Sequence, residues 1–124
     1  MTAINARQVL YVEDDRINII LMEEAFRGLT GWALQVAEDG AQALRCLQAD
    51  AGPLELVMID LHLPDMSGIE LLARIRSDAR LQQPRCVAVS ADDQSHVVQA
   101  ALAAGFSEFW LKPVAMQRFK ALET

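Results

Sequence analysis

Short apolar segments alternate with longer amphipathic segments along the chain, and this alternation limits the folds open to it. The apolar segments are typical of strands and cover residues 9–12, 34–37, 54–59, 86–89 and 109–111. The segments that follow them have apolar residues at helical spacing and cover residues 16–27, 41–47, 67–79, 95–104 and 114–122. Five βα repeats predict an α/β fold, namely a doubly wound, five-stranded parallel sheet with helices on both faces.

Local signals support these boundaries. Gly28 ends the first predicted helix, and Ser67 with Glu70 forms a capping-box pattern at the start of the third. Residues 54–59 are apolar on both faces apart from Glu55, which suits a central strand of a parallel sheet. The residues expected to form the apolar stripe of the first helix are Ile17, Ile20, Leu21, Ala25 and Phe26.

Size and composition exclude several classes of protein. The 124 residues suffice for one domain with its own core, and we assign residues 1–124 to a single domain. An excess of 17 acidic over 11 basic residues argues against direct binding of nucleic acid. No apolar run approaches the ~18–20 residues of a membrane span, and residues 1–8 lack the apolar segment of a secretory signal. Cys46 and Cys86 are expected to be buried thiols of a cytoplasmic protein.

Polar residues follow four of the five predicted strands. In doubly wound sheets the ligand site lies at the carboxyl ends of the strands, so these residues are expected to converge. They are Glu13, Asp14 and Asp15 after the first strand, Asp60 after the third, Ser90 after the fourth and Lys112 after the fifth. Two carboxylates ~5 Å apart repel by roughly 3 kcal/mol at an effective dielectric constant of ~20, so the acid cluster requires a compensating cation.

The donor types at this edge favour Mg²⁺. Hard carboxylate oxygens at a partly hydrated site are the ligands that Mg²⁺ prefers, whereas Ca²⁺ would call for a loop of alternating acids. Zn²⁺ is disfavoured because neither His62 nor His96 pairs with a cysteine at ligand spacing. A carboxylate beside a divalent ion can act as a nucleophile toward phosphorus, with an ammonium and a hydroxyl sharing the phosphoryl charge.

These motifs together resemble the receiver domain of two-component response regulators. The acid pair corresponds to Glu13 and Asp14, the phosphoacceptor to Asp60, the switch hydroxyl to Ser90 and the lysine to Lys112. The resemblance covers essentially the whole chain, with the four motifs in order. The run from Tyr11 to Asp15, with Asn18, is similar to receivers attached to hybrid sensor kinases.

The resemblance implies a flavodoxin-like sheet in the order 2-1-3-4-5. It implies Mg²⁺, with Mn²⁺ as a substitute, held by Asp14, Asp60 and the backbone carbonyl of His62, with Glu13 contributing through water. It implies that a histidine kinase or a histidine phosphotransfer protein passes a phosphoryl group to Asp60. His62 and Asp92 flank this site at positions that vary in the family, where we expect them to tune the lifetime of the phosphorylated state.

The resemblance also implies a conformational switch. The Ser90 hydroxyl would move to the phosphoryl group, and Phe109, where the family often has tyrosine, would turn inward. The family has a cis peptide before the proline, which predicts a cis bond between Lys112 and Pro113. The usual partner face, formed by helix 4, strand 5 and helix 5, would bind an output partner or a second copy. Aromatic residues expected near this face are Phe106, Trp110 and Phe119.

Trp110 has two possible places on the fifth strand. Strand alternation puts Phe109 and Trp110 on opposite sides of the sheet, so only one of them can be the inward switch residue. If Trp110 is exposed, it is a candidate anchor for a partner, because aromatic residues are frequent binding hot spots.

Three other functions suit the same fold. A haloacid-dehalogenase-type phosphohydrolase needs an acid two residues after its nucleophile, where this chain has His62, and a cap domain. A flavin-binding protein needs a phosphate loop rich in Ser, Thr and Gly after the first strand, where this chain has acids. A degenerate receiver that only binds proteins would not require Asp60, Ser90 and Lys112 together. The sequence therefore favours a phospho-accepting signalling module that has no external substrate.

Overall fold

The computed structural model describes residues 6–49 and 51–122, in which strands and helices alternate strictly. The strands are β1 (Arg7–Val12), β2 (Trp32–Ala37), β3 (Leu56–Asp60), β4 (Arg85–Ser90) and β5 (Glu108–Leu111). The helices are α1 (Arg16–Arg27), α2 (Gly40–Cys46), α3 (Gly68–Ser77), α4 (Ser95–Ala104) and α5 (Met116–Leu122). All paired strands are parallel and follow the order β2-β1-β3-β4-β5, which confirms the predicted sheet.

The core consists of two apolar layers, one on each face of the sheet. Successive residues of β1 alternate between them: Leu10 and Val12 face one layer, and Val9 and Tyr11 face the other. The first layer contains buried residues of α2, α3 and α4, and the second contains those of α1 and α5. β3 lies between β1 and β4 and is buried along its whole length, as its apolar sequence predicts.

The predicted apolar stripe of α1 was wrong in its orientation. Among its members only Phe26 is buried in the core, where Ile19 and Met22 accompany it at the spacing of one helix face. The side chains left in solvent are Ile17, which is 70% exposed, Ile20, which is 47% exposed, and Leu21, which is 54% exposed. Helix α1 therefore has a second, exposed apolar face.

Several element boundaries differ from the prediction by one or two residues, and local hydrogen bonds account for two of these differences. β3 begins at Leu56, two residues late, since the Leu54 amide donates to the side chain of Gln82 at 2.8 Å instead of to a strand. α5 begins at Met116 after a turn in which the carbonyl of Ala115 accepts from the Arg118 amide. Within the described ranges, no helix is both long enough and apolar enough to cross a bilayer.

Trp110 does not form an exposed anchor. It lies on the opposite side of the sheet from Phe109, as predicted, but only 2% of it is exposed. Its ring packs edge-on against Phe119 at a centroid distance of 6.3 Å, and its indole N–H donates to Glu108 at 2.9 Å. Phe106 and Phe119 are buried as well, Phe106 in one core layer and Phe119 in the other, so the aromatic residues expected near the partner face belong to the core.

Candidate functional site

The carboxyl ends of β1, β3 and β5 bring two buried acids and a lysine into contact, although β4 lies between β3 and β5 in the sheet. Glu13 follows β1, Asp60 ends β3, and Lys112 follows β5. The ammonium Nζ of Lys112 donates to Glu13 Oε1 at 2.6 Å and to Asp60 Oδ2 at 3.2 Å. Only 1% of Glu13 and 6% of Asp60 is exposed, so this ion-paired cluster is shielded from solvent.

The turn from β1 into α1 sets the positions of the neighbouring acids. The Glu13 amide continues the strand pairing by donating to the Ala37 carbonyl at 2.9 Å, which keeps Glu13 at the end of the sheet. Asp15 then caps α1, because its carboxylate accepts from the Asn18 amide at 3.0 Å. Asp14, between them, is exposed at the mouth of the pocket.

Three carboxylates of this edge form a group that fits a divalent cation. Glu13, Asp14 and Asp60 each offer one oxygen, and these oxygens lie within 4.8 Å of one another. An all-oxygen, partly exposed donor set matches the preferences of Mg²⁺ and Mn²⁺. We call this group, together with Lys112, the acid pocket.

The loop between β3 and α3 closes the acid pocket from one side. The His62 amide donates to Asp60 Oδ1 at 3.2 Å, while the His62 side chain is exposed. Asp65 anchors the loop by accepting from the amides of Gly40 and Ala41 at 2.9 and 3.0 Å. Gly68 allows the close return of the chain, since a Cβ there would lie 2.5 Å from the Asp60 carbonyl oxygen.

The charges of the pocket are shared unevenly between its two buried acids. Burial, and next the neighbouring Glu13, raise the pKa of Asp60 to about 6. Burial also acts to raise the pKa of Glu13, but hydrogen bonds with Asp60, Lys112 and Tyr11 outweigh it and hold that pKa below its usual value. Burial opposes the charge of Lys112 too, yet its contacts with both acids raise its pKa. Of these two acids, Asp60 is therefore the one whose ionised form gains more from added positive charge.

Ser90 lies on β4, which pairs with β3, and Phe109 lies on β5, the next strand of the sheet. Ser90 ends β4 and is fully buried, and its hydroxyl oxygen accepts from the Asp92 amide at 3.1 Å. Phe109 on β5 is half-buried and packs against the core layer that contains side chains of α2, α3 and α4. The bond between Lys112 and Pro113 is cis, as predicted. All of the predicted site residues except Phe109, which lies within β5, stand at or just beyond the carboxyl ends of their strands.

Sequence analysis missed one polar contact of the pocket. The hydroxyl of Tyr11 donates to Glu13 Oε1 at 2.8 Å from inside the core. A signal was available, because residues two apart on a strand share a side of the sheet. The sequence places Tyr11 in an apolar strand and in the run similar to hybrid-kinase receivers, and neither pattern predicts a partner for its hydroxyl.

Comparison with known proteins identifies the family to which this arrangement belongs. The sequence profile of the response regulator receiver domain matches residues 9–122. This chain belongs to the response regulator receiver domain family. Its residues 9–122 include each of the acids, the serine and the lysine described above.

Relatives of this receiver domain occur both as short regulators and within longer proteins. It is 34% identical over 112 residues to the two-component response regulator ORR41 of Oryza sativa subsp. japonica, covering 90% of this chain and 87% of that protein. It is 34% identical over 110 residues to the autoinducer 2 sensor kinase/phosphatase LuxQ of Vibrio vulnificus, covering 89% of this chain but 12% of that protein.

A solved structure agrees with the fold. The phosphorylated cyanobacterial phytochrome response regulator RcpA superposes with a TM-score of 0.77 at 26% identity, covering 95% of this receiver domain and 89% of that chain. The chain is thus a two-component receiver domain with an acidic pocket suited to a divalent metal ion.

Proposed function

We propose that this receiver domain accepts a phosphoryl group on Asp60 from the phosphohistidine of a histidine kinase or a histidine phosphotransfer protein. The observation that carries the proposal is the contact of Asp60 with Lys112 inside a cluster of three carboxylates. A carboxylate oxygen of Asp60 forms a bond to phosphorus while the N–P bond of the donor breaks, and the imidazole leaves with the electron pair. The proposed unit is residues 1–124 acting in the cytoplasm, with no activity on an external substrate.

The acid pocket would hold Mg²⁺, or Mn²⁺ in its place. Asp14, Asp60 and the backbone carbonyl of His62 are the proposed ligands, with Glu13 contributing through water. The cation, when bound, neutralises charge on the phosphoryl oxygens. Lys112 supplies a second positive charge to the same oxygens, and it already stands 3.2 Å from Asp60 Oδ2.

Phosphorylation would change the face formed by α4, β5 and α5. The Ser90 hydroxyl would leave the Asp92 amide for a phosphoryl oxygen, and Phe109 would move inward behind it. Exposed apolar residues on this face, Leu102 at 45% and Leu111 at 44%, suit an output partner or a second copy of the chain. The switch would therefore act on the affinity of this face for its partner.

The exposed apolar face of α1 is the proposed docking surface for the phosphohistidine donor. It is formed by Ile17, Ile20 and Leu21. A groove of about 420 Å³ runs beside it, and its lining includes both Leu21 and Lys112. A donor helix seated in this groove would bring its phosphohistidine to the acid pocket.

The variant Leu21→Glu tests this docking surface. It is expected to slow phosphoryl transfer from a phosphorylated phosphotransfer protein and to leave phosphorylation by phosphoramidate unchanged. Leu102→Glu, which changes an exposed leucine outside α1, is the matched control.

Intact mass spectrometry tests phosphoryl acceptance itself. The protein is incubated with acetyl phosphate, with and without millimolar Mg²⁺, beside the Asp60→Asn variant. We expect one added phosphoryl group in the wild type with Mg²⁺ and none in the variant. An adduct of equal yield on Asp60→Asn, or none on a folded wild type that does bind Mg²⁺, would contradict the proposal.

A further inference from the structure

Tyr11 places a buried hydroxyl directly beneath the acid pocket. It is the only tyrosine in the chain, and 1% of it is exposed. Its hydroxyl donates to Glu13 Oε1 at 2.8 Å, and the same oxygen accepts from Lys112 Nζ at 2.6 Å. A single buried carboxylate oxygen therefore has two donors, one neutral and one charged.

The two donors differ in their freedom to move. The Tyr11 ring lies in the core layer that also contains Met22 and Phe119, so its hydroxyl has a fixed position. Burial, followed by the hydrogen bond to Glu13, raises the pKa of Tyr11, so the phenol remains a donor. The Lys112 side chain is long and reaches its partners from a loop at the end of β5.

After phosphorylation, Glu13 and the phosphoryl group would compete for the ammonium of Lys112. The proposed function requires its ammonium to pair with a phosphoryl oxygen on Asp60, which draws it away from Glu13. In this step the Glu13 oxygen Oε1 loses its charged donor, while the other oxygen, Oε2, keeps the Asp15 amide at 3.3 Å. An oxygen of a buried carboxylate that is left without any donor destabilises the protein. Glu13 retains Tyr11, whose hydroxyl cannot follow the lysine.

We infer that Tyr11 is a positioning residue that holds the Glu13 carboxylate in place and so allows Lys112 to move from Glu13 to the phosphoryl group. The inference rests on the proposed phosphoryl acceptance by Asp60. It assigns no contact between Tyr11 and the phosphoryl group. Loss of the Tyr11 hydroxyl should therefore weaken the pocket that holds a phosphoryl group or its mimic more than the empty pocket.

Binding of beryllofluoride, a phosphoryl mimic, measures this effect without turnover. At saturating Mg²⁺ we expect Tyr11→Phe to bind beryllofluoride about tenfold more weakly than the wild type, since one hydrogen bond to a charged group is lost. Trp110→Phe is the matched control, because it removes a partly buried hydrogen bond from the same core layer, and the acceptor of that bond, Glu108, is not a member of the acid pocket. It should lower the melting temperature and leave beryllofluoride affinity within twofold of the wild type.

The single tyrosine provides an independent signal that needs no variant. Labelling with 3-fluorotyrosine gives one fluorine resonance, and the structure assigns it to Tyr11. We expect this resonance to shift when beryllofluoride is added to the Mg²⁺-loaded protein, because Glu13 Oε1 then loses the ammonium. Should Tyr11→Phe fold poorly, this shift alone still tests the inference.

The failures of the two proposals can be distinguished. A wild type that binds beryllofluoride beside a folded Tyr11→Phe of equal affinity would overturn the role of Tyr11 alone. An unmoved fluorine resonance in beryllofluoride-loaded protein would overturn it too. A Mg²⁺-loaded wild type that neither binds beryllofluoride nor accepts a phosphoryl group would overturn the proposed function, and this inference with it.

Discussion

Replacing Asp60 with asparagine should stabilise the metal-free protein, although it destroys the proposed phosphorylation site. The pKa of Asp60 is raised from 3.8 to about 6, chiefly by burial, and the residue is only 6% exposed. A rise of this size corresponds to a penalty of about 3 kcal/mol on the ionised carboxylate above pH 6. Asparagine resembles the protonated carboxyl in size and is neutral, so it removes this penalty and can still donate to Glu13.

The sign of the effect depends on pH in a defined way. Asp60 binds its proton more tightly in the folded state, so this group contributes stability below its unfolded pKa of 3.8. That contribution is lost as the pH rises through 6. The gain from Asp60→Asn should therefore be near zero at pH 4 and grow to about 3 kcal/mol at pH 7, which is about 10 °C in melting temperature for a chain of this size.

Urea unfolding of both proteins in EDTA, followed by far-UV circular dichroism at pH 4 to 8, measures this gain. Asp65→Asn is the matched control, because the amides of Gly40 and Ala41 lower the pKa of Asp65, opposed by slight burial. Its ionised form contributes stability above its unfolded pKa, so the same substitution there should destabilise the protein at pH 7. Equal stability of wild type and Asp60→Asn at every pH would refute the reasoning.

Three further outcomes follow from the described contacts. Millimolar Mg²⁺ should raise the melting temperature of the wild type. Asp14→Asn should remove most of this rise and should slightly stabilise the metal-free protein. A rise that Asp14→Asn leaves unchanged would contradict the proposed ligand set. Gly68→Ala should cost about 1–3 kcal/mol in urea unfolding, because its Cβ meets the Asp60 carbonyl oxygen at 2.5 Å. Only one thiol should react quickly with a disulfide reagent at pH 8, since burial raises the pKa of Cys86 to about 11; two fast thiols would contradict its placement.

The sheet and the polar edge could be predicted because both depend on strand ends. Each strand is short and apolar, and the residues after it must lie at the carboxyl edge of a parallel sheet. Asp60 and Lys112 are 52 positions apart in the chain, yet this rule alone brings them to the same edge of the sheet. Their distance and burial, which determine the pKa of Asp60, depend on side-chain packing that no spacing rule supplies.

The orientation of α1 could not be predicted for a specific reason. Apolar residues occur around most of its circumference, so periodicity permits more than one buried stripe. In the structure Ile19, Met22 and Phe26 are buried, and Ile17 and Leu21 are left in solvent. The burial of Trp110 could not be predicted for a similar reason. Strand alternation predicts its side of the sheet, but it does not predict that Phe119 of α5 packs against it.

The position of the phosphoryl group is the most direct test of the account. The protein is phosphorylated with acetyl phosphate and Mg²⁺ and then reduced with borohydride, which converts an aspartyl phosphate into homoserine. Peptide mass spectrometry locates the converted residue. We predict homoserine at position 60 and at no other acid of the pocket. Homoserine at position 14, or an acid-stable phosphate on Ser90, would contradict the assignment of Asp60 as the phosphoacceptor.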